Sequence, residues 1–421
     1  MASTIILDDS FVQKQLAHVA FAGRALLAPT HALPELNSRI KKCEIILKKH
    51  HGYSTGGTPS RGFIRDQNLL NLALAILGHR LNLYHAFAMF ERTIEVDWFC
   101  HTELGKAKRY RDHITHPVRV TAIGWWFLHR SRSSLLRTLA SSYRKKTAAY
   151  LHSKSIPLGD RTWKEIVELA WLATGLLHDC AFPLQYRLQS GLHLRKGVQD
   201  TLGILPPAPE SLMDSRKRQA MLDRLESSWL VEELPDLDRR IYELCKERRA
   251  NRFEHAHALL GGLHHCLAVE GKGQLHTLQG LVVQLAARAI ITHHDKDEKK
   301  AAVVSDHLAA LLFVSDNLQN WERQFLHQEQ SQYNSDKRTF RPIVECREIR
   351  LNRGKNGYVA VHYMNEDEEE RGILCKRPYK WCFEKFQEPM KQLENFMKRY
   401  NMQPEIKCSQ RCCVHPKNFP K

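Results

Sequence analysis

The chain has 421 residues, 43% of them hydrophobic, with 63 lysines and arginines against 46 aspartates and glutamates and a formal net charge of +17. That apolar content excludes a disordered chain, and the lack of any run of about 18 uncharged apolar residues argues against a helical membrane span. Eleven irregularly spaced cysteines argue against a disulfide framework, and the opening "MASTIILDDSF" lacks the layout of a secretory signal, so a cytoplasmic protein is expected.

Residues 1 to about 52 read as helical, because "FVQKQLAHVAFAGRALL" and "LNSRIKKCEIILKKHH" repeat apolar residues at three- and four-residue spacing. The glycine-, serine- and proline-rich "GYSTGGTPSRG" then breaks the pattern. An N-terminal helical extension over residues 1–64 is therefore expected. From 65 to 325 the helical period returns. Its longest apolar run, "NLLNLALAILGHRLNLYHAFAMF", is interrupted by His79 and Arg80, which suits a buried helix. "HQEQSQYNSDKR" within residues 326–339 reads as a linker. After it, "FRPIVECREIRLN" and "GYVAVHYM" alternate as strands, and "WCFEKFQEPMKQLENFMKRY" reads as a helix. The expected fold is mostly α, a helical metal-binding domain followed by a small α+β domain over 340–421.

The positive charge concentrates in "HRSRSSLLRTLASSYRKK" and "DRRIYELCKERRANR". A solvated helix face explains each singly. Together they favour a polyanionic partner, a nucleotide or nucleic acid. In "CSQRCCVHP", Cys408, Cys412, Cys413 and His415 have zinc-ligand chemistry but irregular spacing.

An ordered set of histidines and acids stands at the ends of apolar stretches. His116 lies in "DHITHPVRVTAIGWWFL", His178 and Asp179 close "IVELAWLATGLLHD", His255 and His257 lie in "FEHAHALLGGLHH", His293 and His294 close "AARAIITHH", and Asp316 lies in "LAALLFVSDNL". Ligands that converge on the interior of a helical bundle need this arrangement, because their stems must stay packed. Mixed imidazole and carboxylate donors suit Mn, Fe, Zn, Co or Ni, and their number points to two metal ions. In such a site Asp179, beside His178, can bridge the two. With 24 histidines in the chain, each member alone reads as an ordinary core histidine, and Asp179 and Asp316 read equally well as N-caps.

The succession His116, "LLHD" at 176–179, "HALLGG" from His257, "HHD" from His293 and "LLFVSD" ending at Asp316 resembles the HD-domain metal-dependent phosphohydrolase superfamily over residues 105–325. The extra histidines resemble its multi-metal members, including the HD-GYP type. The resemblance implies about five core helices around the metals, with His116, His178, Asp179 and Asp316 as the shared ligands. It also implies His257 as the additional histidine, with His255 its competitor and a candidate proton donor to the leaving oxygen, and His293 as the next ligand. His294, with Asp112, would serve a third metal. The GYP signature is absent, and Cys180-Ala181-Phe182-Pro183 stands where a Gly-Lys usually follows. The expected activity is hydrolysis of a phosphoester of a nucleotide or nucleic acid. The same six-ligand set resembles the mixed-valent diiron oxygenases of the HD scaffold, and a non-catalytic nucleic-acid sensor is the third reading. Oligomeric state is not legible.

Overall fold

The computed structural model describes residues 3–7, 9–21, 69–81, 115–129, 134–179, 228–237, 276–293, 306–319, 344–352, 357–364 and 403–408, with isolated positions besides. These residues are mostly helical. The expected boundaries near 64, 325 and 340 fall outside them, as do the glycine-rich loop and the linker.

The N-terminus departs from the all-helical expectation. Ser3–Ile6 is a strand, β1, and helix α1 follows over Asp9–Phe21. β1 takes its hydrogen bonds from β2 (Val344–Asn352), pairing antiparallel with Ser3 opposite Leu351. A β-branched stretch too short for a stable helix is satisfied instead by a strand far along the chain. β2 pairs antiparallel with β3 (Gly357–Met364), and β3 pairs in parallel with β4 (Gln403–Cys408). The sheet order is β1-β2-β3-β4.

In the apolar run that follows, residues 69–75 are helical and continue into a π-turn over Ile76–Arg80. Arg80, which breaks the run in sequence, is buried. Burial lowers its pKa, and the carboxylate of Glu168 is the largest opposing attraction.

The core is built by four longer helices. These are α2 (Thr115–His129), α3 (Leu135–Ser153), α4 (Trp163–Leu177) and α6 (Leu278–Thr292), with short α5 (Trp229–Glu233) before the last of them. α7 (His307–Leu318) packs on α2 and α6. Start signals are visible at each of three ends. Thr162 and Glu165 form a reciprocal capping box on α4, Thr277 accepts from Gly280 N (3.1 Å) on α6, and Asp306 accepts from Ala309 N (3.0 Å) on α7.

α2 and α4 run antiparallel and cross closely, because both place a glycine at the contact. A Cβ on Gly124 would lie 1.8 Å from Trp171 Cζ2, and one on Gly175 would lie 2.4 Å from Thr121 Oγ1 and 3.0 Å from Thr121 Cα. The Trp171 indole fills the room and donates from Nε1 to Thr121 O (3.0 Å). A buried charged group holds the other side of the bundle. Arg288 of α6 pairs through Nη1 with Asp306 Oδ2 (2.6 Å) and through Nη2 with Glu233 Oε2 (3.3 Å), and Tyr143 OH donates to Asp306 Oδ1 (2.8 Å). From the C-terminal region, Phe396 meets Phe127 of α2 (ring centroids 6.0 Å apart), and Tyr400 bonds His307 Nδ1.

Beneath α1, Trp125 Nε1 donates to His18 Nδ1 (3.3 Å), and His129 Nε2 stands 3.4 Å from Glu168 Oε1. Burial, opposed by Arg80 and Lys164 and reinforced by Glu165, pushes the Glu168 carboxyl up to about 7. Burial, with His18 nearby, pulls His129 down to about 4. A carboxyl raised in the folded state is a stabiliser only while protonated, so its contribution falls as pH rises from its unfolded range through about 7.

Two predictions follow from this packing. Gly124→Ala forces the Trp171 ring to move and should lower stability by about 1–3 kcal/mol, read as a shift in urea midpoint at unchanged slope. Glu168→Gln should be more stable than wild type at pH 8, by on the order of 1–3 kcal/mol, and equal to it near pH 4.5; denaturation at the two pH values checks the sign.

Candidate metal centre

Three helix ends and one helix interior bring the predicted residues together. His116 is the second residue of α2, one position before Pro117, whose missing N–H costs nothing in a first turn. His178 closes α4 as its C-cap, with Asp179 next, and His293 closes α6 in the same way. Asp316 lies inside α7, which continues to Leu318. The N-cap reading of Asp316 is thereby excluded, and the cap of α7 is Asp306 instead.

The two terminal histidines share one device. Nδ1 of His178 donates to Gly175 O (2.8 Å), and Nδ1 of His293 donates to Ile290 O (2.7 Å), in each case a carbonyl three residues back. His116 reaches the same state by another route, since its Nδ1 donates to the side-chain oxygen of Gln319, the C-cap of α7. With the proton held on Nδ1, each Nε2 carries the lone pair.

Those Nε2 atoms converge. His116 Nε2 lies 3.3 Å from His178 Nε2, 2.9 Å from Asp316 Oδ1 and 3.6 Å from Asp179 Oδ2. His178 Nε2 lies 3.7 Å from the same Asp179 oxygen. The ring of His293 stands 6.3 Å from that of His178. Lone pairs and carboxylate oxygens brought this close repel one another unless a proton or a metal cation lies among them.

A metal ion fits that requirement. Ligand atoms about 2.1 Å from a common ion are about 3.0–3.4 Å from each other along the edge of an octahedron or tetrahedron. The separations of 2.9 and 3.3 Å around His116 match. Donor atoms of His116, His178 and Asp316 all lie within 4.8 Å of one another and could hold one metal ion. Asp179 and His293 adjoin this triad without belonging to its tightest group. His116, His178, His293 and Asp179 are buried, and the Asp316 side chain is 21% exposed.

The remaining predicted residues, Asp112, His255, His257 and His294, lie outside the described residues, as do Cys412, Cys413 and His415; Cys408 ends β4. Of the two basic segments, 238–252 also lies outside them. Residues 135–146 of the other lie in α3, which buries Leu139, Tyr143, Thr147 and Tyr150 and exposes Arg137, Arg144 and Lys145. This face is solvated and cationic.

Gln319 is a contact that the histidine and carboxylate pattern does not reveal. Its signal was its spacing, three residues after Asp316 and therefore on the same side of α7.

Among the described residues no helix is long and apolar enough to cross a membrane. No protein-family model, curated protein or solved structure matches the chain.

Proposed function

We propose that the protein is a metal-dependent phosphohydrolase of the HD type that cleaves a phosphoester of a nucleotide or nucleic acid in the cytoplasm. The observation that supports the reading is the convergence of His116, His178 and Asp316 from three helices, with Asp179 beside them and the proton of each histidine held on the far nitrogen. The order of these residues along the chain is that of the superfamily the sequence resembles.

In this reading His116, His178 and Asp316 hold one divalent ion of the Mn, Fe, Zn, Co or Ni group. Asp179 would bridge to a second ion, for which His257 and His293 would be the further ligands; His255 would be the proton donor to the leaving oxygen, and His294 would serve a third ion. Such ions supply a nucleophile at neutral pH and neutralise charge on the transferring phosphoryl group. The chain itself does the rest. Nδ1–H bonds to Gly175 O and Ile290 O keep the imidazoles turned inward, and burial of His116 and His178 keeps bulk water from competing for their Nε2 atoms. The exposed cations of α3, Arg137, Arg144 and Lys145, raise the local concentration of a polyanion. The oxygenase reading shares the ligands, and the net charge of +17 favours a phosphorylated substrate over a neutral one.

Elemental analysis of the purified protein, followed by a cleavage screen over nucleotides, cyclic nucleotides and single strands with Mn, Ni, Co and Zn, tests the proposal. Bound transition metal and oxygen-independent hydrolysis are expected. Asp179→Ala should lower that hydrolysis at least about a hundredfold, and full activity in this variant would remove the assignment.

A further inference from the structure

We infer that Gln319 is the positioning residue that selects Nε2 of His116 as a metal donor. The inference rests on the metal reading above and goes beyond its ligand set.

The two helix-terminal histidines need no outside help to choose a tautomer, because a carbonyl three residues back accepts the Nδ1 proton. His116 stands at the start of its helix, and its Nδ1 bonds a side chain instead, Gln319 across the bundle. A carbonyl oxygen can only accept, so Nδ1 carries the proton and Nε2 keeps its lone pair. That Nε2 is the hub of the cluster, the atom 3.3 Å from His178 Nε2 and 2.9 Å from Asp316 Oδ1. Were Nδ1 the bare nitrogen, the proton would sit on Nε2 and occupy the place of the ion.

Gln319 is itself buried, at 1% exposure, and its backbone N–H ends α7 on Ser315 O (3.1 Å). The amide therefore stands on a fixed base. Because Asp316 is three residues earlier, a single helix end delivers both a carboxylate ligand and the group that orients a ligand of α2. A neutral amide does this without adding a third negative charge beside Asp179 and Asp316.

Titration of full-length protein with Co(II), followed by visible absorption, tests the inference, with His116→Ala as the benchmark for a lost ligand. Gln319→Met keeps the volume and removes the acceptor, and should weaken Co(II) binding about 10- to 100-fold. Gln319→Glu restores an acceptor and should bind within about threefold of wild type or more tightly, as a carboxylate makes the imidazole a better donor. A merely structural side chain would not give this rescue. Met binding as tightly as wild type overturns the inference, and so does Glu binding as weakly as Met. Should Gln319→Met fail to fold, by far-ultraviolet circular dichroism, Gln319→Leu takes its place: about a tenfold loss of Co(II) affinity that Gln319→Glu does not share supports the inference, and wild-type affinity overturns it. Wild-type protein that binds no Co(II) overturns the metal reading and this inference with it, a result distinct from equal binding by wild type and variant.

Discussion

The close antiparallel crossing of α2 and α4 sets the distance on which the candidate centre depends. Side chains at a helix interface normally hold two axes about 8–10 Å apart. Here Gly124 and Gly175 remove two of those side chains, and Trp171 occupies the room one of them leaves. His116 lies near the start of one helix and His178 just past the end of the other, at the same end of the crossing. Their Nε2 atoms stand 3.3 Å apart, and the close approach of Gly175 to Thr121 lies between them along the crossing. Packing and donor geometry are one constraint, written partly in residues that carry no chemistry.

The second support is electrostatic. α7 supplies Asp316 and Gln319 near its C-terminal end, while its N-terminal end is tied to the bundle by Asp306. That carboxylate caps its own helix, accepts from Tyr143 of α3 and pairs with Arg288 of α6. Burial and the Asp306 charge raise the Tyr143 phenol well above its usual range, so it remains a donor throughout the accessible pH range. A buried ion pair of this kind adds little net stability, yet removing one partner is costly because the other is left charged in the interior. The pair is best understood as fixing the position of α7.

The helical class, the apolar core helices and the triad His116, His178 and Asp316 were legible in the sequence, and for identifiable reasons. Apolar periodicity carries the helices, as in "IVELAWLATGLL", whose residues are nearly all buried. Polar residues that end such runs stand out, which singles out His116, His178, His293 and Asp316. The N-cap alternative for Asp316 could not be decided from sequence because an aspartate two residues before the last residue of a helix looks like one that begins the next. Ser3–Ile6 misled for a related reason: four residues hold too little periodicity to distinguish a strand from the first turn of a helix, and the partner strand that decides the matter lies beyond residue 340. Gln319 carried only the signal of its spacing from Asp316, because a glutamine has no chemical signature until the imidazole opposite is known.

The manner in which α4 and α6 end has a consequence for how the centre can be dissected. His178 and His293 each complete the last turn of a helix with the nitrogen that faces away from the cluster. Removing either imidazole would therefore strip a carbonyl of its partner and loosen a helix terminus, whether or not an ion is present. Such variants confound ligand loss with local unravelling. The carboxylate of Asp316, projecting from within a continuous helix, is the cleaner handle, since its removal takes away a donor and leaves each terminus tied.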